Sequence, residues 1–336
     1  MSSPGPQPGP RLRILSGMQP TGRLHIGNYL GALRNWVRLQ DDYDCFYCIV
    51  DYHALTTVTD PAALRPAVED CALDWLAAGL DPQRSAIFVQ SHVPEVAELH
   101  LLLSMTTPLS WLERVPSFKE KADEHPDNVN YGLLGYRVLQ AADILLYAGE
   151  RVPVGEDQLP HLELTREIAR RFNHRYRPVL VEPQAIISDT PRVMGSDGVS
   201  KMSKSRGNAI LMSAEPDELL RVVSTMVTDV LRPRRSDPGH PESCNVCQLH
   251  RIFSPDRYLE IWEGERTART GCVDTKKALA VAMAEYFAPV RERRHELEAR
   301  PGAVWEILED GAARARTTAR ETVAAVRDAM GLGAAG

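Results

Sequence analysis

Between residues 12 and 91 the chain alternates short β-forming runs with stretches of helical spacing, and this alternation leaves few folds open. Arg11 to Ser16 is a short apolar run that ends at Gly17. Ile26, Tyr29, Leu30, Leu33 and Val37 then recur at the spacing of one helix face. Cys45 to Asp51 reads as a buried strand. Pro61 to Ala78 reads as a helix with Asp60 as its cap and Pro61 in its first turn. Ser85 to Ser91 is again strand-like. Strands and helices in alternation predict a parallel, doubly wound sheet, and such sheets bind ligands beyond the carboxyl ends of their strands.

Further along, residues 94–150 read as mainly helical, with breaks at Pro108, Pro116 and Pro126. Arg151 to Val154 resumes the strand pattern and Leu159 to Phe172 is helical. From Ala214 onward only helical periods remain, clearest in Ala278 to Glu298 and Val304 to Met330, which Pro301-Gly302 separates. The expected organisation is a disordered arm over 1–10, a catalytic α/β domain of the nucleotide-binding, Rossmann-like type over 11–212 with a helical insertion at about 94–150, and an all-helical domain over 213–336. A formal charge of −6 over 336 residues means that any nucleic-acid surface is a local basic patch. No run approaches the roughly 18 apolar residues of a membrane span. Met1 to Pro10 has no apolar core and is not a signal peptide, so a cytoplasmic protein with reduced cysteines is expected.

Three segments carry chemistry. Ser16-Gly17-Met18-Gln19-Pro20-Thr21-Gly22 follows the first strand and opens the first long helix, where free N–H groups and the helix dipole favour phosphate. Its glycine spacing does not match the dinucleotide fingerprint. His25 and Asn28 sit three residues apart at that helix start. Lys201-Met202-Ser203-Lys204-Ser205, between Gly198 and Gly207, places two ammonium groups close together; they repel unless an anion lies between them, although a solvated basic loop has the same composition. Finally, Tyr136, Gln140, Asp143 and Tyr147 share one helix face. A carboxylate among Ala, Ile and Leu needs a donor, either a neighbouring arginine or a substrate. Shortly after comes Val154-Gly155-Glu156-Asp157-Gln158, at another strand end.

Gly22-Arg23-Leu24-His25-Ile26-Gly27-Asn28 followed by Lys201 to Ser205 resembles the two signatures of class I aminoacyl-tRNA synthetases. Ala141-Ala142-Asp143-Ile144-Leu145-Leu146-Tyr147, Val154 to Gln158 and Ile49-Val50-Asp51-Tyr52-His53-Ala54-Leu55 resemble the tryptophanyl branch of that family rather than the tyrosyl one. The similarity runs from about residue 12 to the carboxyl end. It implies that Asp143 accepts the indole N–H of tryptophan, with Tyr136, Gln140, Gln158, His53 and Gln19 lining the pocket. It implies ATP contacts from Gln19, Pro20, Thr21, Gly27, Asn28, Gly155, Glu156, Asp157 and Val193, and from Lys201, Met202, Ser203, Lys204 and Ser205. Lys201, Lys204 and Gln19 are the implied catalytic residues. The resemblance further implies that ATP enters with Mg²⁺ as co-substrate, that the helical carboxyl part meets the anticodon of tryptophan tRNA, and that the protein acts as a homodimer. Gln140 stands where bacterial members commonly have methionine, and Leu15 replaces a common phenylalanine, so the pocket differs in detail.

The resemblance also raises a metal question, because some members carry a four-cysteine iron–sulfur cluster. Here Cys244 and Cys272 survive, but Glu265 and Thr275 stand at the other two positions. Cys244, Cys247 and His250 lack an obvious fourth ligand for zinc beyond Cys272, and Cys45 and Cys48 read as strand core. Arg232, Arg234 and Arg235 are either phosphate contacts or a solvated loop. Rival readings are a tyrosyl enzyme, a nucleotidyltransferase that does not use RNA, and a catalytically silent relative. No cluster and no zinc are expected. Metal analysis of the purified protein checks this, and stoichiometric iron or zinc would overturn it.

Overall fold

In the computed structural model the described residues are 11–58, 60–114, 129–187, 193–227 and 229–333. The expected amino-terminal arm and the breaks at Pro116 and Pro126 lie outside them. Five strands, β1 (Arg13–Met18), β2 (Asp44–Ile49), β3 (Ser85–Val89), β4 (Arg151–Val154) and β5 (Gln184–Ile187), form one parallel sheet in the order β3-β2-β1-β4-β5. The chain winds outward from β1 to β3, then returns to start again at β4 on the other side of β1. The switch point therefore lies between β1 and β4, where a ligand crevice is expected.

Side chains alternate across the sheet with the strand period of two. Cys45, Tyr47 and Ile49 of β2 face one core, with Trp36 and Trp75. Phe46 and Cys48 face the other, with Phe88 and Tyr147. Cys45 and Cys48 are thus packing residues on opposite faces, both fully buried.

The first helix is built of α1 (Ile26–Asn28), a π-helical turn (Tyr29–Leu33) and α2 (Arg34–Leu39). After α3 (Asp51–Ala54), α4 (Pro61–Ala78) starts as the sequence predicts: the Asp60 side chain accepts from the Ala62 N–H, Pro61 takes the first turn, and Gly79 closes the helix at φ 112°. The 94–150 region supplies α5 (Glu95–Ser104), α6 (Leu109–Glu113) and α7 (Tyr131–Leu146), and α8 (Leu159–Arg175) follows β4.

Beyond residue 213 come α9 (Pro216–Thr225), α10 (Asn245–Phe253), α11 (Tyr258–Arg266), α12 (Cys272–Tyr286), α13 (Ala288–Glu298) and α14 (Ala303–Ala329). The single helix expected over Ala278 to Glu298 is two, because Pro289 cannot donate inside a helix and sits in the first turn of a new one. Gly302, at φ 88°, starts the last helix. A boundary near 212 does not divide two cores. Helix α13 packs on α4, and α14 runs back over β3 and α5. Its Ala312, Ala315, Ala319 and Val323 join the Phe88 side of the sheet.

Gly311 shows how close that approach is: a Cβ there would lie 1.9 Å from the Ile87 carbonyl oxygen. Gly311→Ala should lower stability by about 1–3 kcal/mol through overpacking, despite alanine's better helix propensity. Urea unfolding checks this, and an unchanged or raised midpoint would show that the helix does not press on β3.

Candidate active site

A cavity of about 320 Å³ opens at the switch point. Leu15, Ser16 and Gly17 of β1 line one side and Val152, Pro153 and Val154 of β4 the other. The two strands are joined at Ile14–Arg151, and these lining residues lie beyond that pairing. His53, Tyr136, Gln140, Asp143, Gln158 and Gln19 converge on this one cavity, together with Gly155.

Helix α7 places three of them. The Asn130 side chain caps its start by accepting from the Leu133 N–H. Val138, Ala141, Ala142 and Leu145 form its buried face, and Tyr136, Gln140 and Asp143 face the cavity. Tyr147, at the helix end, is not with them. It is buried in the core, stacked on Phe46 at 5.3 Å and edge-on to Phe88.

Asp143 is 4% exposed. Its donors are an amide and an imidazole rather than the arginine that the sequence left open. Gln90 Nε2 lies 2.8 Å from both carboxylate oxygens, and His53 Nε2 is 3.0 Å from Oδ2. Arg137 donates instead to Gln140 Oε1 at 2.7 Å. A carboxylate has roughly four lone-pair sites, so Asp143 keeps capacity for another donor. The His53 ring also lies on Tyr136, 4.3 Å between centroids, and the Tyr136 hydroxyl accepts from Gln19 Nε2 at 2.7 Å.

Sequence reasoning missed Gln90, which ran unremarked at the end of a strand. It is fully buried in a 3₁₀ turn, Gln90–His92. The Tyr52 N–H donates to its Oε1 at 3.1 Å, which turns its NH₂ toward Asp143. The available signal was a polar residue directly after the apolar β3, at the binding end of the sheet.

The loop after β1 forms the second part of the site. Gly22 is at φ 79°, and Pro20 is buried. His25 and Asn28 do not project side by side: each side chain accepts from the other's backbone N–H, a capping box that opens α1. Burial, then Lys204 and Lys201, pull the His25 imidazole down to about 4, so at neutral pH it is uncharged and accepts. A Cβ at Gly27 would lie 2.9 Å from that ring.

Lys204 reaches across to this loop. Its ammonium donates to the Thr21 carbonyl and, at 2.6 Å, to the Arg23 carbonyl. Burial lowers its pKa. Lys201 is exposed, whereas Met202 and Val193 are buried in the core and anchor the loop from below. Ser203 and Ser205 share a hydroxyl–hydroxyl bond of 2.9 Å. Asn208, also missed from sequence, shapes the turn. It accepts from the Ser203 N–H at 2.7 Å and donates to Asp197 and the Ser200 hydroxyl. The Ser200 hydroxyl and Asn208, with two backbone amides, hold the Asp197 carboxyl well below the usual range. Glu156 and Asp157 are exposed, in the turn after Gly155, and Gln158 Nε2 donates to Asp157 at 2.7 Å.

In the helical part, Arg232 is neither a free phosphate contact nor solvated. Its side chain is buried, bonded to Glu265 and to the Arg235 and Thr270 carbonyls. Thr275 donates to the same Glu265 carboxylate. Glu265 and Thr275 are thus partners in an ion-pair cluster, with Cys272 Sγ 4.0 Å from Arg232 Nη1. Among the described residues no group of three or more His, Cys, Asp or Glu is arranged around a metal position. Arg234 and Arg235 are exposed, and Arg235 pairs with Asp274 at 3.3 Å.

The chain is similar to known proteins over nearly its whole length. The family described as tRNA synthetases class I (W and Y) matches residues 7–288. The Tryptophan–tRNA ligase of Thermotoga maritima is 49% identical, covering 96% of this chain and 99% of its own length. That of Aquifex aeolicus is 42% identical over 96% and 100%. A tryptophanyl-tRNA synthetase from Campylobacter jejuni, solved with ADP and tryptophan, superimposes with a TM-score of 0.88 at 36% identity, covering 96% of this chain and 100% of that one. A tyrosyl-tRNA synthetase from Archaeoglobus fulgidus reaches a TM-score of 0.66 at 19% identity, which shows the fold alone. The chain belongs to the class I tRNA synthetase family of the tryptophan and tyrosine enzymes.

Proposed function

We propose that the protein is a tryptophan–tRNA ligase: it activates L-tryptophan with ATP and transfers it to tryptophan tRNA. The observation that carries this reading is Asp143, a buried carboxylate in the cavity with acceptor capacity to spare. The indole N–H of tryptophan would fill the remaining acceptor position. Phenylalanine would leave it empty, and a site built on such a bond rejects the deficient analogue by about 10⁴–10⁵; that figure is measured on the tyrosyl enzyme.

Tryptophan's carboxylate oxygen attacks the α-phosphorus of ATP. The new O–P bond forms as the bond to the leaving pyrophosphate breaks. Transfer follows when the terminal ribose hydroxyl of the tRNA attacks the acyl carbon and AMP departs. No side chain forms a covalent bond, so the protein contributes position and charge. Gln19 and Tyr136 hold the amino-acid end of the cavity. The loop from Pro20 to Asn28 and the turn Gly155 to Asp157 flank the nucleotide, whose Mg²⁺ arrives with it. Lys204 and Lys201 meet the polyphosphate, with Ser203 and Ser205 beside them and Val193 and Met202 backing the loop.

Exposed Leu101, Met105, Leu109 and Tyr131, on or beside consecutive helices α5, α6 and α7, support the homodimer reading. Exposed Arg234 and Arg235 support tRNA contact by the helical part. No helix among the described residues is long and apolar enough to cross a membrane. A cytoplasmic place of work follows from the tRNA substrate of this reading.

Tryptophan-dependent ATP–pyrophosphate exchange, run against all twenty amino acids, tests the reading; stimulation by tyrosine alone, or by none, would reject it. Asp143→Ala should raise the KM for tryptophan about 10- to 100-fold, the value of a hydrogen bond to a charged group, and erode selectivity against phenylalanine. Lys204→Ala should lower kcat for exchange about 10²–10³-fold, the cost of losing one preorganised charge, with tryptophan affinity by equilibrium titration little changed. Equal losses of tryptophan affinity in both variants would contradict this division of labour.

A further inference from the structure

A buried ion cluster between α4 and α13, outside the tryptophan cavity, has no role in that scheme. Asp74 of α4 is fully buried, and three segments far apart in sequence each give it a donor. The Leu24 N–H of the first signature lies 2.5 Å from Oδ2. The Ser213 hydroxyl lies 3.1 Å, and Arg294 Nη1 of α13 2.7 Å, from Oδ1. Arg294 is itself buried and also bonds Asp70 at 2.5 Å and Glu298 at 2.8 Å. Ser213 is doubly used, since Arg23 Nη2 donates to its carbonyl at 2.7 Å and its hydroxyl at 3.1 Å.

The backbone adds to this. Ile26 N–H donates to the Ile210 carbonyl at 2.8 Å and Met212 N–H to the Leu24 carbonyl at 3.0 Å. Residues 24–26 are thus stitched to residues 210–212, which lead away from the lysine loop. Lys204 returns to the Thr21 and Arg23 carbonyls of the same turn. The turn between β1 and α1 therefore has no independent position. Asp74 holds its Leu24 amide, and Arg294 holds Asp74.

We propose that Asp74 and Arg294 are positioning residues for the ATP side of the reaction, setting the geometry of the turn from Thr21 to Leu24 and making it depend on how α13 of the helical part is seated on α4. This rests on the ligase reading above, and deepens it. Neither residue lines the tryptophan cavity: its His53, Tyr136, Gln140 and Asp143 come from α3 and α7, its Gln158 from the turn after β4, and its Gln19 precedes the turn from Thr21 to Leu24. A defect at Asp74 should therefore fall on ATP and spare tryptophan. That split separates positioning from a general loss of structure, which would weaken both substrates together.

The test uses the full-length protein with Asp74→Asn, Arg294→Lys and Ser213→Ala. The first substitution keeps the shape of the side chain but turns one acceptor into a donor. The second keeps the charge but loses the fork that joins Asp70 to Asp74. Ser213→Ala removes one hydroxyl and is the variant to read if the others do not fold. In tryptophan-dependent pyrophosphate exchange, the first two should lower kcat/KM for ATP about 10- to 100-fold, the scale expected for misplacing a substrate-positioning element by about 1 Å. Ser213→Ala should lower it about threefold, a fraction of that range. The dissociation constant of tryptophan, read by equilibrium titration without ATP, should stay within about twofold of the parent protein's, far below the change expected for ATP. Unchanged kcat/KM for ATP in the folded variants overturns the inference, as does equal weakening of ATP and tryptophan. A parent protein inactive with tryptophan would reject the ligase reading instead.

Discussion

A carboxylate shut away from water must be answered by donors, and the architecture around the cavity is arranged to answer Asp143. Burying it uncompensated would cost several kcal/mol. The donors come from two elements distant in sequence: Gln90 at the end of β3 and His53 in α3. Both follow strands on one half of the sheet, while Asp143 rides on α7, which leads into the other half. The answer exists only when α7 is docked over the carboxyl ends of β2 and β3. Folding and the placing of this carboxylate are thus one constraint. Gln90 is in turn fixed by the Tyr52 amide, so its NH₂ cannot rotate away to offer its oxygen instead. Asp143 is held by these donors as an acceptor already oriented in the cavity.

What could be read in the sequence was whatever is local. Asp60 before Pro61 announces α4, and the helix appears with that cap. The spacing of Tyr136, Gln140 and Asp143 places three side chains on the cavity face of α7, because residues four and seven apart lie on one face of a helix. The same rule failed for Tyr147, where the helix ends and the ring turns into the core between Phe46 and Phe88. His25 and Asn28 matched the helix-start pattern, but the pair closes on itself as a capping box, a geometry that the same spacing also permits.

What could not be read was whatever depends on which strand neighbours which. The order β3-β2-β1-β4-β5 is not in any window of sequence, and neither is the return of α14 over β3. Gly311 was unremarkable as a lone helical glycine; only the Ile87 carbonyl beneath it gives it a reason. Arg232 looked like part of a basic cluster with Arg234 and Arg235. Its burial against Glu265 follows from α11 and α12 packing around it, and composition cannot tell a paired arginine from a solvated one. Gln90 and Asn208 are single amides whose importance lies wholly in the partners the fold brings them.

The position of Lys204 shows how the two signatures work as one device. Its ammonium is already half removed from water and sits on two carbonyl oxygens of the turn that precedes α1. Those carbonyls are neutral acceptors. On the proposed reading, a triphosphate beside the same turn would present charged oxygens, and charge-assisted bonds are about twice as strong as neutral ones. Lys204 would then exchange carbonyls for phosphate over a short distance, with part of its desolvation already incurred in the folded protein. Residues 210–212 are pinned to residues 24–26 and anchor the far end of the loop. Lys201 is exposed on the same loop, with its backbone bridged to Met194. An ammonium parked on the signature turn ties the lysine loop to it. The loop is thus held to the turn by Lys204 and by residues 210–212.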